Sequence, residues 1–350
     1  MVHTMTSRER MLAALRHEEP DRIPVAPWGL GRVGWETPLG AELVARTDPW
    51  LEVGMGINPV AGAVWPVETE KRGNQVRRVL HAPGRDLVAV TTTTAQTSAS
   101  TEYFCKSLAD IEALLALSFV PAEPDMERWK AHKARVGDDG MAILGMATGI
   151  CFPNDMLGTE YCSLLWASEP DIIREMVRIA AEREFAAIEQ ACAAGVDCVR
   201  VVGGEYSTEL MGPRSWQELV VPYDKPLVEM IQSYGAIAHY HNHGRMQRCL
   251  ESIAALGIDS LDPVEQPPYG DIAMQEALQR IGGRVCLVGG LDDMEVLDTR
   301  SREEVLGMAE ELLQTCGKRD WMLGGTSSGI YGERAARNFI ALVDVAQRHA

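Results

Sequence analysis

From Met141 onward the chain repeats one unit: a short, nearly continuous apolar run, a small or polar residue, then a helical stretch. The runs are MAILGMATG, VDCVRVVGGE, AIAHYHNHG, IDSLDPVE, RVCLVGGLD and DWMLGGTSS. A strand with one face in water alternates apolar and polar residues. A strand buried on both faces reads as a continuous apolar run, and strands separated by helices pair in parallel. The helices between the runs have the expected punctuation, with Pro170 near the start of the stretch 169–194 and Gly195 just past its end. Further helices are predicted over 214–234, 246–256, 272–281 and 302–315, and from Glu333 to the C-terminus.

Upstream, IPVAPW (Ile23–Trp28) reads as a first buried strand, and a less regular one falls near 62–68. With the six runs these make eight, which favours a TIM-type (β/α)8 barrel over an open doubly wound sheet of about six strands. The segment Gly29–Pro38 lacks GxGxxG, so no dinucleotide fingerprint supports the open alternative. Thr6 and Glu9 form a capping box for an N-terminal helix with Met11, Leu12 and Leu15 on one face. The β-branched runs around Ala82-Pro83-Gly84, within 58–105, predict a β-hairpin insertion, and 107–135 predicts helices. The whole chain, 1–350, is expected to be one barrel domain.

Net charge −17 argues against nucleic acid or an anionic membrane as a partner. No run of about 18 apolar residues suggests a transmembrane helix. The N-terminus lacks an apolar signal core, and eight scattered cysteines show no CxxC spacing; a cytoplasmic protein with reduced thiols is the expectation.

Three of the eight histidines fall in AIAHYHNHGR, at His239, His241 and His243. Alternate strand residues share a face, so the imidazoles are predicted to line one side, the last two at the strand end. In a barrel of this type the active site gathers at the C-terminal ends of the strands. Those ends carry Arg32 and Trp35, Cys151 and Asn154, Glu205, His241 and His243, Asp262 and Glu265, Asp292, and Ser327 and Ser328. His241, His243 and Glu205 form a two-His-one-carboxylate set suited to zinc or another divalent metal. Without a metal the same groups suit general acid–base work. The plain alternatives are a Glu205–Arg245 ion pair and a structural role for Asp262 and Glu265 at the rim. His239 lies deeper and reads as a hydrogen-bonded core residue, and Cys286 as a small hydrophobe.

The chain resembles the uroporphyrinogen decarboxylase superfamily. The resemblance rests on RERMLAALRHEEPDRIPV, on GPRSWQELVVPYDKPLVEMIQSYG (Gly212–Gly235), on HNHGR, on Asp259–Glu265 and on VGGLDDMEVL, in that order. It implies a (β/α)8 barrel. The decarboxylases of the superfamily carry RQAGR after the first strand; this chain has GLGRVGWE, keeping at most Arg32, and no counterpart of their catalytic Asp. Their Gly-His-Gly-Ile is Ser327-Ser328-Gly329-Ile330 here. A second branch moves methyl groups from corrinoid proteins to thiols, with zinc held by His-x-Cys and a later Cys. His241 matches that histidine, His243 replaces the first cysteine, and Ser328 stands where the second would be. Glu205 is the candidate replacement ligand, and the chain looks most like the subgroup with His-x-His-Gly.

The resemblance implies a zinc-dependent methyltransferase or demethylase, with His241, His243 and Glu205 as metal ligands and a separate corrinoid protein as a partner. His241, Glu205 and Arg32 would be the catalytic residues. Trp35, Cys151, Asn154, Asp262, Glu265 and Ser328 would contact a small-molecule substrate. The alternatives are a decarboxylase of a small or tetrapyrrole carboxylic acid, with Arg32 holding the carboxylate, and a barrel that binds a tetrapyrrole or corrinoid without turning it over. A homodimer fits a soluble barrel of this kind.

Overall fold

The computed structural model describes residues 4–54, 56–94 and 98–350. Seven parallel strands form one curled sheet: β1 (Trp50–Gly54), β6 (Met141–Ala147), β7 (Cys198–Val202), β8 (Ile237–His241), β9 (Ser260–Val264), β10 (Cys286–Gly290) and β11 (Trp321–Gly324), in that spatial order. Each of the six apolar runs from Met141 onward supplies one strand. Helices cover the outer face, the longest being Pro170–Ala193. The architecture is TIM-like, though not a ring of eight regular strands.

Three upstream expectations change. Ile23–Trp28 makes no regular strand; it touches both edges of the sheet through single parallel bridges, Val25 to Leu323 and Trp28 to Trp50. Pro24 and Pro27 lack N–H groups, so a continuous ladder cannot form there. The backbone N–H of Ala26 instead bonds Leu323 O (2.8 Å), and Trp50 N bonds Pro27 O (3.0 Å). Nor does a barrel strand lie at 62–68. The strand that fills this place is β1, twelve residues earlier at its start, and 62–68 leads into a separate antiparallel sheet. That sheet has four strands rather than one hairpin: β2 (Val67–Arg72), β3 (Gln75–Ala82), β4 (Arg85–Thr93) and β5 (Ser98–Glu102).

Two cores result. The larger packs the outer helices onto the sheet. The smaller fills the concave side with Trp28, Trp50, Met141, Ile143, Cys198 and Met322. The N-terminal helix Ser7–Leu15, with its Thr6–Glu9 capping box, closes the floor of this inner core with Met11, Ala14 and Leu15. Its Arg10 is buried and held by Asp21 (2.6 Å) and Asp48 (2.7 Å). Asp48 also takes Arg22 (2.6 Å), so the floor is pinned by a charge cluster with its partners satisfied.

Candidate functional site

Above the apolar floor the concave face turns polar. The register sets Arg200 beside Gly145 and His239, and His241 beside Asp262. Residues paired across parallel strands point to the same face, so these groups meet in one layer. Glu52, on β1, sits two strands from Arg200. Gly145 lies on the strand between, and a Cβ there would overlap the Glu52 carboxylate. The glycine therefore opens the path along which Glu52 Oε2 accepts a hydrogen bond from Arg200 Nη1 at 2.9 Å. The guanidinium lies 3.8 Å from the Trp28 ring centroid, a cation–π contact.

Asp262, wholly buried, is the hub of the layer. Its Oδ1 is 2.9 Å from His241 Nδ1 and 3.0 Å from His239 Nε2, the latter at ion-pair distance but poorly aligned for a hydrogen bond. Burial works against an ionised Asp262, but the two histidines outweigh it and hold the carboxyl well below its usual range. Burial, together with the Arg200 charge and despite Asp262, lowers His241 to about 4. The pair near neutral pH is thus an anionic Asp262 beside a neutral His241.

His239 is buried between Trp28 and Trp50 (ring centroids 5.6 and 4.4 Å away), and its Nδ1 is 2.7 Å from Ser260 Oγ. It is the core histidine that its depth in the strand suggested.

His243 stands at the rim, its ring at right angles to His241 with centroids 4.5 Å apart. Its Nδ1 is 3.4 Å from Glu265 Oε1, while Glu265 Oε2 accepts from Gly244 N at 2.9 Å. Burial disfavours the His243 cation, but Glu265 outweighs burial and the pKa is raised. Glu205 begins the π-helical turn Tyr206–Met211 after β7. Burial raises its pKa, offset in part by His243 and Arg200, and its Oε2 is buried without a partner.

The other expected residues disperse. Arg32 is exposed on the Gly29–Pro38 loop, where its backbone N–H bonds Tyr331 O (2.9 Å). Trp35 lies under Arg135 (4.3 Å), which also pairs with Glu36. Asn154 is buried and donates to Ile150 O (2.9 Å). Ser328 donates both its N–H (2.9 Å) and its hydroxyl (2.6 Å) to Asp293 Oδ2. Cys151 lines a cavity of about 280 Å³ together with Asp155 and Glu184, and burial raises its thiol well above the usual range.

Glu52, Arg200 and the two tryptophans were missed in the sequence. A charge at an inward position of an otherwise apolar strand, as in CVRVV and WLEVG, was the available signal.

Among the described residues no three His, Cys, Asp or Glu side chains form a ready-made metal cage as they stand. The donor chemistry nonetheless suits a zinc-class ion. Both His241 and His243 turn Nδ1 to a carboxylate, as metal-binding histidines do, which leaves Nε2 for a ligand bond. Glu205 offers an oxygen without a partner.

A profile of the family described as uroporphyrinogen decarboxylase matches residues 93–349. The chain belongs to the uroporphyrinogen decarboxylase family. No curated protein sequence matches it significantly. Among solved structures, a methyltransferase from Methanosarcina mazei superposes with TM-score 0.64 at 15% identity, covering 97% of this chain and 98% of its own. A B12-independent methionine synthase from Shewanella sp. W3-18-1 is more distant, with TM-score 0.49 at 11% identity over 81% of this chain and 75% of its own. The superposition on the Methanosarcina mazei structure shows a shared fold. No helix among the described residues is long and apolar enough to cross a membrane.

Proposed function

We propose that this member of the uroporphyrinogen decarboxylase family is a methyltransferase or demethylase. It would move a methyl group between a small methylated compound, or a corrinoid on a separate protein, and an acceptor. The observation that carries the reading is the pair of adjacent histidines whose Nδ1 atoms are both turned to carboxylates. Glu205, whose charge acts on His243, follows β7 with a buried oxygen that has no partner among the described residues. His241, His243 and Glu205 would hold zinc or another divalent ion, which when bound supplies Lewis acidity toward the acceptor or donor.

The chain's own residues supply the setting. Asp262 orients the ring of His241 and, in the tautomer whose Nδ1–H it accepts, leaves a lone pair on Nε2. Glu265 does the same for His243 and pins the turn at Gly244. Arg200, beside His241, discourages its protonation and so keeps it available near neutral pH. Trp28 and Trp50 seal the floor beneath the layer, so the reacting groups face solvent on one side only.

Decarboxylation is supported less. The cation nearest His241, Arg200, is already engaged by Glu52 and Trp28, and Arg32 sits on an exposed loop.

The test is elemental analysis of purified protein alongside a methyl-transfer assay with methylcobalamin and thiol acceptors. About one zinc-class ion per chain is expected, lost together with activity in His241→Ala and His243→Ala. Protein that binds no stoichiometric metal and transfers no methyl group overturns the reading. Carbon dioxide release from a carboxylate panel would favour decarboxylation.

A further inference from the structure

The cavity beside Cys151 contains chemistry that the histidine layer does not use. Its volume is about 280 Å³, and its walls come from the loop 56–60, the end of β6, the helix Cys151–Leu157 and the long helix Pro170–Ala193. Ile57, Val60, Met146, Phe152 and Met156 make most of it apolar. Two acids, Asp155 and Glu184, break that surface, and among the described residues no Lys, Arg or His lines it.

Glu184 is only 7% exposed, and its Oε2 has no hydrogen-bond partner. Asn154 Oδ1 and Thr148 Oγ1, on the segments beside Cys151, are likewise buried and unpartnered. Isolated buried acceptors of this kind carry a desolvation cost unless something donates to them. Burial pushes the Glu184 carboxyl well above its ordinary range, and neighbouring Asp224 and Asp155 push it further, so a cation seated beside it would release its proton and leave the carboxylate as partner. Asp155 faces the cavity, so it has surface area there, yet the protein around it raises its carboxyl to about 6. Arg183, on the same helix as Glu184, is committed elsewhere: it donates to the carbonyls of Pro59 and Val60 and stacks on Phe119. Both acids therefore border a space whose described lining carries no positive charge.

We infer that this cavity binds a small organic cation of the alkylammonium class, with Glu184 and Asp155 as its counter-charges. Size and lining choose this class over a bare metal ion. The volume is several times the roughly 30 Å³ share of one water. A hard cation asks for a shell of six or more oxygens, whereas two carboxylates set among thioethers and a phenyl ring suit an ion whose charge is wrapped in methyl or methylene groups. Phe152 offers an aromatic ring to such a cation, and Met146 and Met156 are soft, adaptable contacts. An N–H donor on the ion would also satisfy the orphaned Glu184 oxygen. The inference concerns binding at this cavity and does not depend on methyl transfer at the histidines.

Titration calorimetry of the full chain with trimethylammonium and choline chlorides tests it, with dimethylbutanol as the neutral isostere of choline and magnesium and zinc chlorides as competitors. Saturable binding of a cation is expected, weakened at least tenfold in Glu184→Gln and in Asp155→Asn, with no binding of the neutral alcohol. Asp155 faces the cavity, so its variant keeps the test valid if Glu184→Gln misfolds, and circular dichroism reports which variants fold. Equal binding of the alcohol, unchanged affinity in a folded variant, no binding of either amine, or displacement of a bound amine by stoichiometric metal would each overturn the proposal.

Discussion

Arg200 Nη2 lies 2.8 Å from Nδ1 of His241, the same nitrogen that Asp262 Oδ1 approaches to 2.9 Å. Arg200 can only donate and ionised Asp262 can only accept, so one imidazole nitrogen satisfies one of them at a time. With the proton on Nδ1, Asp262 is served and Nε2 carries a lone pair. With the proton on Nε2, Arg200 is served and the ring presents a donor to the pocket. The ring nitrogen that faces a reactant is thus chosen by two buried groups behind it.

Replacing Arg200 by Met should move the His241 pKa upward from about 4, because the arginine charge opposes its protonation. Burial is the larger cause and remains, so the recovery is partial. An NMR titration of the imidazole carbons reads this directly; an unmoved pKa would show that Arg200 exerts no field on the ring. The same variant should lose about 1 kcal/mol of stability in urea unfolding, because the pair with the solvent-exposed Glu52 is removed.

Gly145→Ala places a methyl group in the path of the Glu52 carboxylate. The expected cost is about 1–3 kcal/mol, typical of overpacking. In a Glu52→Ala background the clash disappears, and the penalty should fall to a few tenths. A penalty that persists would mean that the glycine serves the backbone rather than the Glu52–Arg200 contact.

Asp224 is buried and accepts from Tyr240 Oη at 2.8 Å. Burial raises its carboxyl to about 7, despite the tyrosine. The unfolded chain releases that proton near pH 4, and the folded protein keeps it until about 7. The stabilising contribution of this group is therefore complete below about pH 4 and lost as pH rises from there through 7. Asp224→Asn removes that dependence, and the variant should gain stability relative to the parent between pH 5 and pH 8, by a few kcal/mol at most. Chemical denaturation at the two pH values checks it; parallel curves for both proteins would refute the assignment.

Ser328 gives both its donors to the buried carboxylate of Asp293. Ser328→Ala should cost about 1–2 kcal/mol. If stability is unaffected and only KM for substrate changes, the serine belongs to the substrate instead.

The fold from Met141 onward was readable because strands buried on both faces leave an unbroken apolar signature, and each helix is punctuated in the sequence. The beginning was harder to read. WLEVG is five residues long and carries a glutamate in its centre, so β1 looks like a polar loop until its neighbour across β6 is known. IPVAPW is apolar, but its two prolines reduce pairing to single bridges. At the site, local spacing was enough to separate His239 from His241 and His243, and to place Asp262 and Glu265 near them. The Glu52–Arg200 pair joins residues 148 positions apart, and no local pattern announces such a contact. Trp35 and Ser328 were judged by their place after strand ends, whereas their partners, Arg135 and Asp293, come from elements that only the tertiary fold brings near.

The helix Ser7–Leu15 stops one end of the curled sheet with Met11, Ala14 and Leu15. The polar layer above it is therefore closed from below by apolar side chains. Access to the layer is then from the side of the strand ends, where His243 and Glu265 stand. In the proposed methyl transfer, donor and acceptor would share that one approach, so a methyl carrier on a separate protein would have to dock at the rim rather than behind the sheet.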